Sequence, residues 1–495
     1  MQRITAETAC NLFDIAATRR REVVHAAALP PHTLMQRAGL ATARIAMAIA
    51  PHARIIWIAC GPGNNGGDGF EAACELQRRG FAPVVTFCGD EAHLPVDATA
   101  SLRRARDAGV VIVDEPPAQH DLAIDALLGI GSTRAPEGKM SAWLQRMRAA
   151  SAPLLSIDVP SGLDADTGAF AADASNAPST NKRASKNTAG VSSHYCLSLL
   201  TLKPGLFTAE GRDAAGEVWF DDLGCASAEE APIARLAGKP LSMPRAHASH
   251  KGSYGDVAVI GGAPGMVGAA LLAASAALHA GAGRVLVGLL DPHAAAVDTQ
   301  QPELMLRKVD SLDLSALTVV CGCGGGTAVR ALLPRVISTA KALVLDADAL
   351  NAIALDVSLQ QLLEARVRRS RATVLTPHPL EAARLLGVSA SEVQSDRLAS
   401  ARTLAARFGV VVLKGSGSII ASGGAAPIIN LTGNARLATA GTGDVLAGMV
   451  GAALAGGRPA LDAAREAVWH HGALADSWPA DQPLTAGSLA RRQPD

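Results

Sequence analysis

The chain has 495 residues, too many for one ordinary hydrophobic core, so two or more domains are expected. Basic and acidic residues number 45 each, which gives no electrostatic reason to bind nucleic acid or an anionic membrane. Aromatic residues are only 3%, so the core is built from Ala, Leu, Val and Ile, and a base-stacking surface is not expected.

The N-terminal stretch MQRITAETACNLFDIAATRRREVV carries charges throughout, so no signal peptide is expected. Eight cysteines are scattered without a CxxC pair, and only Cys321 and Cys323 lie close together. That pattern reads as reduced thiols in a reducing, cytoplasmic setting and argues against a zinc site.

Strand-like runs follow at 55–59, 83–87, 110–113, 122–126 and 153–158, with helical stretches between them. This β-α-β rhythm predicts an α/β fold with a mostly parallel sheet, a Rossmann-like first domain. The stretch 168–194 is rich in Ala, Ser, Asn, Lys and Thr, and its composition predicts a mobile excursion. Irregular, proline-bearing sequence at 226–245 predicts a linker, which divides the chain into domains 1–225 and 246–495. The rhythm restarts beyond it at 257–260, 285–288, 317–321, 342–346, 373–375 and 410–414. No Asp, Glu, Lys or Arg occurs from Val257 to Gly283, long enough for a membrane span, but GGAPG (261–265) interrupts it. The better parse is a short strand, a turn, and a buried helix from about Val267, with no membrane partner.

In open parallel sheets, ligands sit beyond the carboxyl ends of the strands. Three unusual segments follow strands in the first domain: GPGNNGGDG (61–69), DALLGIGSTR (125–134) and DVPSGLDADTG (158–168). The first holds the spacing Gly61-x-Gly63-x-x-Gly66 of a dinucleotide turn and is read as a loop of high conformational freedom before a helix at 70–80. Together the three supply the oxygens of Asn64, Asn65, Asp68, Asp125, Asp158 and Ser161, which suit a cation, a ribose or a phosphate shell. Gly129 and Gly131 permit close approach of a phosphate. Taken singly, each segment is equally a plain turn or a helix cap.

These motifs, with TLMQRAG (33–39) and LKPG (202–205), resemble the N-terminal domain of the YjeF family, the NAD(P)H-hydrate epimerases. The resemblance implies substrate contacts from Asn64, Asn65, Gly66, Gly67 and Asp68, and from Gly129, Ile130, Gly131, Ser132, Thr133, Arg134 and Ala135. It implies proton transfer at C6 of the hydrated nicotinamide by Asp158, and a potassium ion held by Asn65, Asp125 and Ser161. The long 169–194 stretch departs from the family pattern.

In the second domain, GTGD (441–444) opens an apolar helix, where backbone N–H groups can hold an anion and Asp444 can take a proton from an attacking hydroxyl. LKGSGS (413–418) adds a glycine loop with Lys414, and TPHP (376–379) places His378 between prolines. The bland readings are a helix cap for Asp444 and a loop histidine for His378. With CGCGGG (321–326) and DADAL (346–350), these motifs resemble the ribokinase-like ADP-dependent NAD(P)H-hydrate dehydratases. The resemblance implies hydrated nucleotide near Ala269, Gly324, His378 and Asp444. It places ADP along Lys414, Gly415, Ser416, Gly417 and Ser418 and at Gly443, with magnesium. Leu380 departs from the family's Gly after TPHP.

The two halves together resemble a bifunctional repair family that acts on NADHX or NADPHX with ADP, and self-association into a homo-oligomer is expected. The rival readings are a ribokinase-like small-molecule kinase, a non-catalytic nucleotide-binding protein, and a Rossmann dehydrogenase using Asp90 for ribose.

Overall fold

The computed structural model describes residues 1–132, 134–170, 193–225, 230–241 and 246–492. The chain forms two compact units, Met1–Thr5 with Asn11–Ile233, and Ala6–Cys10 with Ala234–Asp495. The division falls inside the predicted linker. Ala234–Leu236 is a strand that pairs in parallel with Ile428–Ile429, because its backbone is taken up by the second sheet. The segment Ala6–Cys10 also belongs to the second unit, which composition did not signal.

The first unit is one sheet in the order Gln2–Arg3, Glu217–Asp221, Tyr195–Leu199, Leu154–Ile157, Leu122–Ala126, Ile55–Cys60, Ala82–Phe87, Val111–Val113. All neighbours are parallel except the first pair. Alternate residues of Ile55–Cys60 enter two cores. Ile56, Ile58 and Cys60 pack with Ala38, Ile45 and Phe70. Trp57 and Ala59 pack with Trp143, Leu144 and Met147. Burial on both faces is why this strand reads as an unbroken apolar run. The chain winds outward from Ile55–Cys60 to Val111–Val113, then returns to Leu122–Ala126 on the other side. The crevice between those two central strands is therefore the switch point where a ligand is expected.

The second unit follows a similar plan, except that Ile419–Ala421 runs antiparallel to both of its neighbours. Its sheet runs Met305–Leu306, Arg284–Leu289, Asp256–Gly261, Thr318–Cys321, Ala342–Leu345, Thr373–Leu375, Val410–Leu413, Ile419–Ala421, Ile428–Ile429, Ala234–Leu236. Its switch point lies between Asp256–Gly261 and Thr318–Cys321. The uncharged stretch from Val257 forms a strand and then a helix, Val267–His279, buried among alanines. Among the described residues no helix is long and apolar enough to cross a membrane.

One sequence expectation needs correction. Residues 61–69 are not a free loop, because the helix Asn64–Arg78 begins inside them. None of its glycines has a positive φ. Gly61, Gly66, Gly67 and Gly69 are there for close packing: a Cβ on Gly66 would lie 2.0 Å from the Gly61 carbonyl oxygen, and one on Gly69 2.7 Å from the Ala126 Cβ. Of the predicted excursion, residues 171–192 lie outside the described residues, and the sheet resumes at Tyr195–Leu199.

Gly69→Ala should cost about 1–3 kcal/mol by overpacking, read as a lowered denaturant midpoint. Gly63→Ser, at an open helix cap with nothing within 4 Å of the added Cβ, should leave the midpoint unchanged or raise it.

Candidate active sites

At the switch point of the first sheet lies a cavity of about 660 Å³, within the usual range for small-ligand sites. The ends of the central strands supply Asn64, Asn65, Asp68, Gly129, Ile130, Gly131, Ser132, Arg134 and Asp158 to its wall. Gly66, Gly67 and Ala135 are not in that wall. Gly67 faces Met35, whose Sδ would lie 2.5 Å from an added Cβ. Thr133 lies outside the described residues.

Asp125 and Ser161 are fully buried and organise the two neighbouring loops. One Asp125 oxygen accepts from Ser161 Oγ (2.6 Å) and Leu127 N (3.2 Å), the other from Ser161 N (2.9 Å) and Ser156 Oγ (3.1 Å). Ser161 Oγ in turn accepts from Leu128 N at 2.9 Å. Burial pushes the Asp125 carboxyl above the usual range, and these donors oppose the shift. Asn65 is 8% exposed, and its Nδ2 makes no hydrogen bond among the described residues. The Asn65 side-chain oxygen would lie 3.3 Å from a Cβ on Gly129.

Asp158 holds a left-handed backbone, φ 67°, at the end of its strand. The fully buried Lys203 ammonium pairs with its Oδ1 and also donates to the Leu199 carbonyl at 2.7 Å. Leu199 N donates to the same Oδ1 at 3.3 Å, so the bonds the protein makes to Asp158 fall on one oxygen. The Asp68 carboxyl is pushed well above the usual carboxylate range, by burial first and then by the facing charges of Asp158, Glu22 and Glu71. Lys203 was visible in LKPG but carried no role in the sequence reading. The helix Ile15–Ala28 was missed altogether, yet Thr18, Arg19 and Glu22 on it line the cavity. Asp90, the acid a dehydrogenase would need for ribose, instead caps the short turn Glu91–His93 and is not in the cavity wall.

The second site gathers at the carboxyl ends of its strands. The helix Thr442–Ala455 starts at Gly441, φ 88°, a left-handed turn that suits glycine. Asp444 lies in its first turn. One ligand-capable atom from each of Cys323, Asp346 and Asp444 falls within 4.8 Å of the others. Lys414 Nζ donates to Asp346 Oδ1 at 2.7 Å and stands 4.0 Å from Glu381 Oε2. A Cβ on Gly443 would lie 3.2 Å from Lys414 Nζ, so Gly443, Asp444 and Lys414 share one place. Gly324 and Ala269 adjoin it through Cys323, with 2.9 Å between a Gly324 Cβ and that of Ala269.

Burial, then the Asp346 charge, pushes the Asp444 carboxyl up to about 6, opposed by Cys323 and Lys414. Burial pushes Glu381 up to about 7. His378 caps the helix Pro379–Leu386: its Nδ1 accepts from Leu380 N and Glu381 N, while Glu381 accepts from His378 N at 2.7 Å. Burial and then Lys414 lower the His378 pKa. The loop Lys414–Ser418 is fixed from below by Arg397, whose Nη2 donates to the Leu413 and Lys414 carbonyls at 3.2 Å each. Asp346, Cys323 and Glu381 had no role in the sequence reading. The signal was spacing-blind, since they stand on different strand ends.

Each unit is thus a doubly wound α/β domain with acid–base groups at its own switch point, the layout of a two-site enzyme. Residues 31–205 match the family described as YjeF-related protein N-terminus, and residues 257–492 the one described as NAD(P)H-hydrate dehydratase. The bifunctional NAD(P)H-hydrate repair enzyme of Escherichia coli is 38% identical over 92% of this chain and 87% of its own length. The ADP-dependent (S)-NAD(P)H-hydrate dehydratase of Neisseria meningitidis is 46% identical over 50% of this chain and 84% of its own. A Bacillus subtilis ADP/ATP-dependent NAD(P)H-hydrate dehydratase, co-crystallised with ATP and Mg2+, aligns over 50% of this chain and 90% of its own, at 30% identity and TM-score 0.41. The chain belongs to the family of bifunctional NAD(P)H-hydrate repair enzymes.

Glu381 and Asp444 hold protons in the folded state up to about 7 and about 6. The folded state therefore binds more protons than the unfolded one between about pH 4 and 7, and their contribution to stability falls as pH rises through that window. Glu381→Gln should remove part of this slope. The melting-temperature difference between variant and wild type should move in the variant's favour from about pH 4.5 to 7.5.

Proposed function

We propose that this chain interconverts the R and S hydrates of NAD(P)H in its first unit and dehydrates the S form in its second, at the expense of ADP. The observation that carries this is two complete sites in one chain, each at a separate switch point and each within a matched family span. The alternative of a kinase alone leaves the Asp158–Lys203 site and its cavity unexplained.

In the first unit the substrate carries a hydroxyl on C6, beside the ring nitrogen. As the hydroxyl gives up its proton the C6–N1 bond opens, leaving an aldehyde and an N–H, and reclosure on the other face, with the proton returned to oxygen, inverts the carbon. Asp158 is the proton-transfer group. Lys203 fixes one of its oxygens and balances its charge in the buried wall. Asp68 faces the same ligand from the cavity wall.

The oxygens of Asn65, Asp125 and Ser161 fit a hard cation such as potassium. The supporting observation is the buried oxygen pair of Asp125 and Ser161, 2.6 Å apart, with the Asn65 side-chain oxygen against the adjoining Gly129. Bound there, the cation would fix the two loops and add positive charge beside the ligand.

In the second unit Asp444 takes the proton of the C6 hydroxyl as that oxygen attacks the terminal phosphoryl group of ADP, whose bond to the α-phosphate breaks to release AMP. Lys414 and the N–H groups at the start of Thr442–Ala455 hold the phosphate charge. Phosphate then leaves C6 far more readily than hydroxide would, and loss of the C5 proton restores the dihydronicotinamide. The Cys323–Asp346–Asp444 group does not fit a magnesium held by protein alone. One donor is a thiol, and one carboxylate is occupied by Lys414. Magnesium in this reading accompanies the nucleotide phosphates.

The cytoplasmic setting belongs to the same reading, supported by eight unpaired cysteines. So does homo-oligomeric assembly, an expectation carried from the sequence.

Asp444→Asn should lower ADP-dependent NADH recovery from S-NADHX by about 10²–10⁴-fold and leave epimerisation and ADP affinity intact. Asp158→Asn should do the reverse, abolishing R-to-S conversion with S-NADHX dehydration unchanged. Recovery of NADH absorbance from mixed and from pure epimers checks both. Near-normal turnover in either variant returns that aspartate to a structural role. In wild type, dehydration kcat/KM should fall as pH drops below about 6, where Asp444 gains its proton.

A further inference from the structure

Cys323 stands where neither the phosphate-holding backbone nor the base requires a thiol. It is fully buried at the end of the strand Thr318–Cys321, at the switch point of the second sheet. Its backbone is held on several sides. Gly262 N donates to the Cys323 carbonyl at 3.0 Å, and Ala263 N to that of Gly324 at 2.7 Å. A Cβ on Gly261 would lie 2.2 Å from the Cys323 oxygen, and one on Gly322 1.9 Å from the Asp346 oxygen. The Cys323 sulfur and one carboxylate oxygen of each of Asp346 and Asp444 lie within 4.8 Å of one another.

We propose that Cys323 is a positioning residue for the dehydration, its thiol donating a hydrogen bond to the Asp444 carboxylate and fixing the base toward the substrate hydroxyl. The inference rests on the reading of Asp444 as that base. The groups facing Asp444 divide cleanly. Asp346 and Asp348 oppose its ionisation, while Lys414 and Cys323 favour it. Lys414 is already committed to Asp346 at 2.7 Å, with Glu381 4.0 Å away and His378 beyond it. Behind the helix start, His471 Nε2 lies 2.9 Å from the Thr442 carbonyl oxygen and faces the backbone. The thiol is thus a side-chain donor given to Asp444 itself. The reciprocal effect is that burial, and then the charges of Asp444 and Asp346, push the Cys323 thiol well up, so it stays protonated and able to donate.

Removing a donor from a carboxylate raises the pH at which it loses its proton. The test is the pH profile of dehydration kcat/KM for the full chain, with S-NADHX and ADP, in Cys323→Ala, Cys323→Val and Cys323→Ser. Ala removes the thiol and Val replaces it with an apolar group, so one of the two retains the fold if packing alone is at stake. ADP titration and a thermal melt establish which variants are folded. In a folded Ala or Val variant the acidic limb should move up by about 0.5–1 pH unit. Activity at about pH 5.5 then falls roughly 3–10-fold while the alkaline plateau stays within about twofold. Ser, which keeps a donor of similar size, should return the limb to its wild-type position. A folded variant lacking the donor but with an unmoved limb overturns the inference. So does a limb that stays displaced in Cys323→Ser. Normal turnover in Asp444→Asn would instead remove the base assignment, a result independent of the Cys323 variants, and the inference would fall with it.

Discussion

A parallel strand cannot turn back on its neighbour through a hairpin; it needs a crossover, and the crossover puts every strand end on the same edge of the sheet. That constraint governs both units. It brings residues far apart in sequence to one place, as with Lys203 beside Asp158, and with Asp444 beside Cys323. The reversal of strand order then opens a crevice between two central strands, because the helices that follow them leave to opposite sides. In each unit the chemistry sits at that crevice.

Each crevice solves the same electrostatic problem in the same way. An aspartate is needed where the wall is dry, and an isolated buried charge there is costly. Lys203 answers Asp158, and Lys414 answers Asp346. The pairs leave different groups free to move protons. In the first unit the paired aspartate itself borders the cavity. In the second the pair stands beside Asp444, whose carboxyl burial and then the Asp346 charge push up to about 6. One arrangement suits proton exchange at a bound ligand. The other suits a base that must be ionised when a hydroxyl attacks a phosphoryl group.

The glycines show how local sequence is read differently by packing. In GPGNNGGDG they look like freedom, yet the backbone there is helical and extended, with no left-handed residue. Their missing Cβ atoms let the helix approach Gly61, Ala126 and Met35. By contrast Gly441 and Gly324 do adopt left-handed backbone, at φ 88° and 57°, where the second site needs a sharp turn.

The sequence by itself determined the two parallel sheets, since strands buried on both faces are continuous apolar runs, and eleven of the strands lie where such runs occur. It also pointed to the ligand-facing strand ends, because three clusters of glycine, asparagine and aspartate each follow a strand, although any one of them alone reads equally as a turn or a cap. It did not reveal the short pairings at Gln2–Arg3, Ala234–Leu236 or Ile428–Ile429, whose few residues carry no periodicity. The tertiary structure alone decided that Ala6–Cys10 and Ala234–Leu236 join the second unit. It alone decided that Asp158 is paired with Lys203, and that Cys323 rests on Asp444. Those are contacts between strand ends far apart in sequence, and their distances are set by crossover geometry, which no spacing along the chain records.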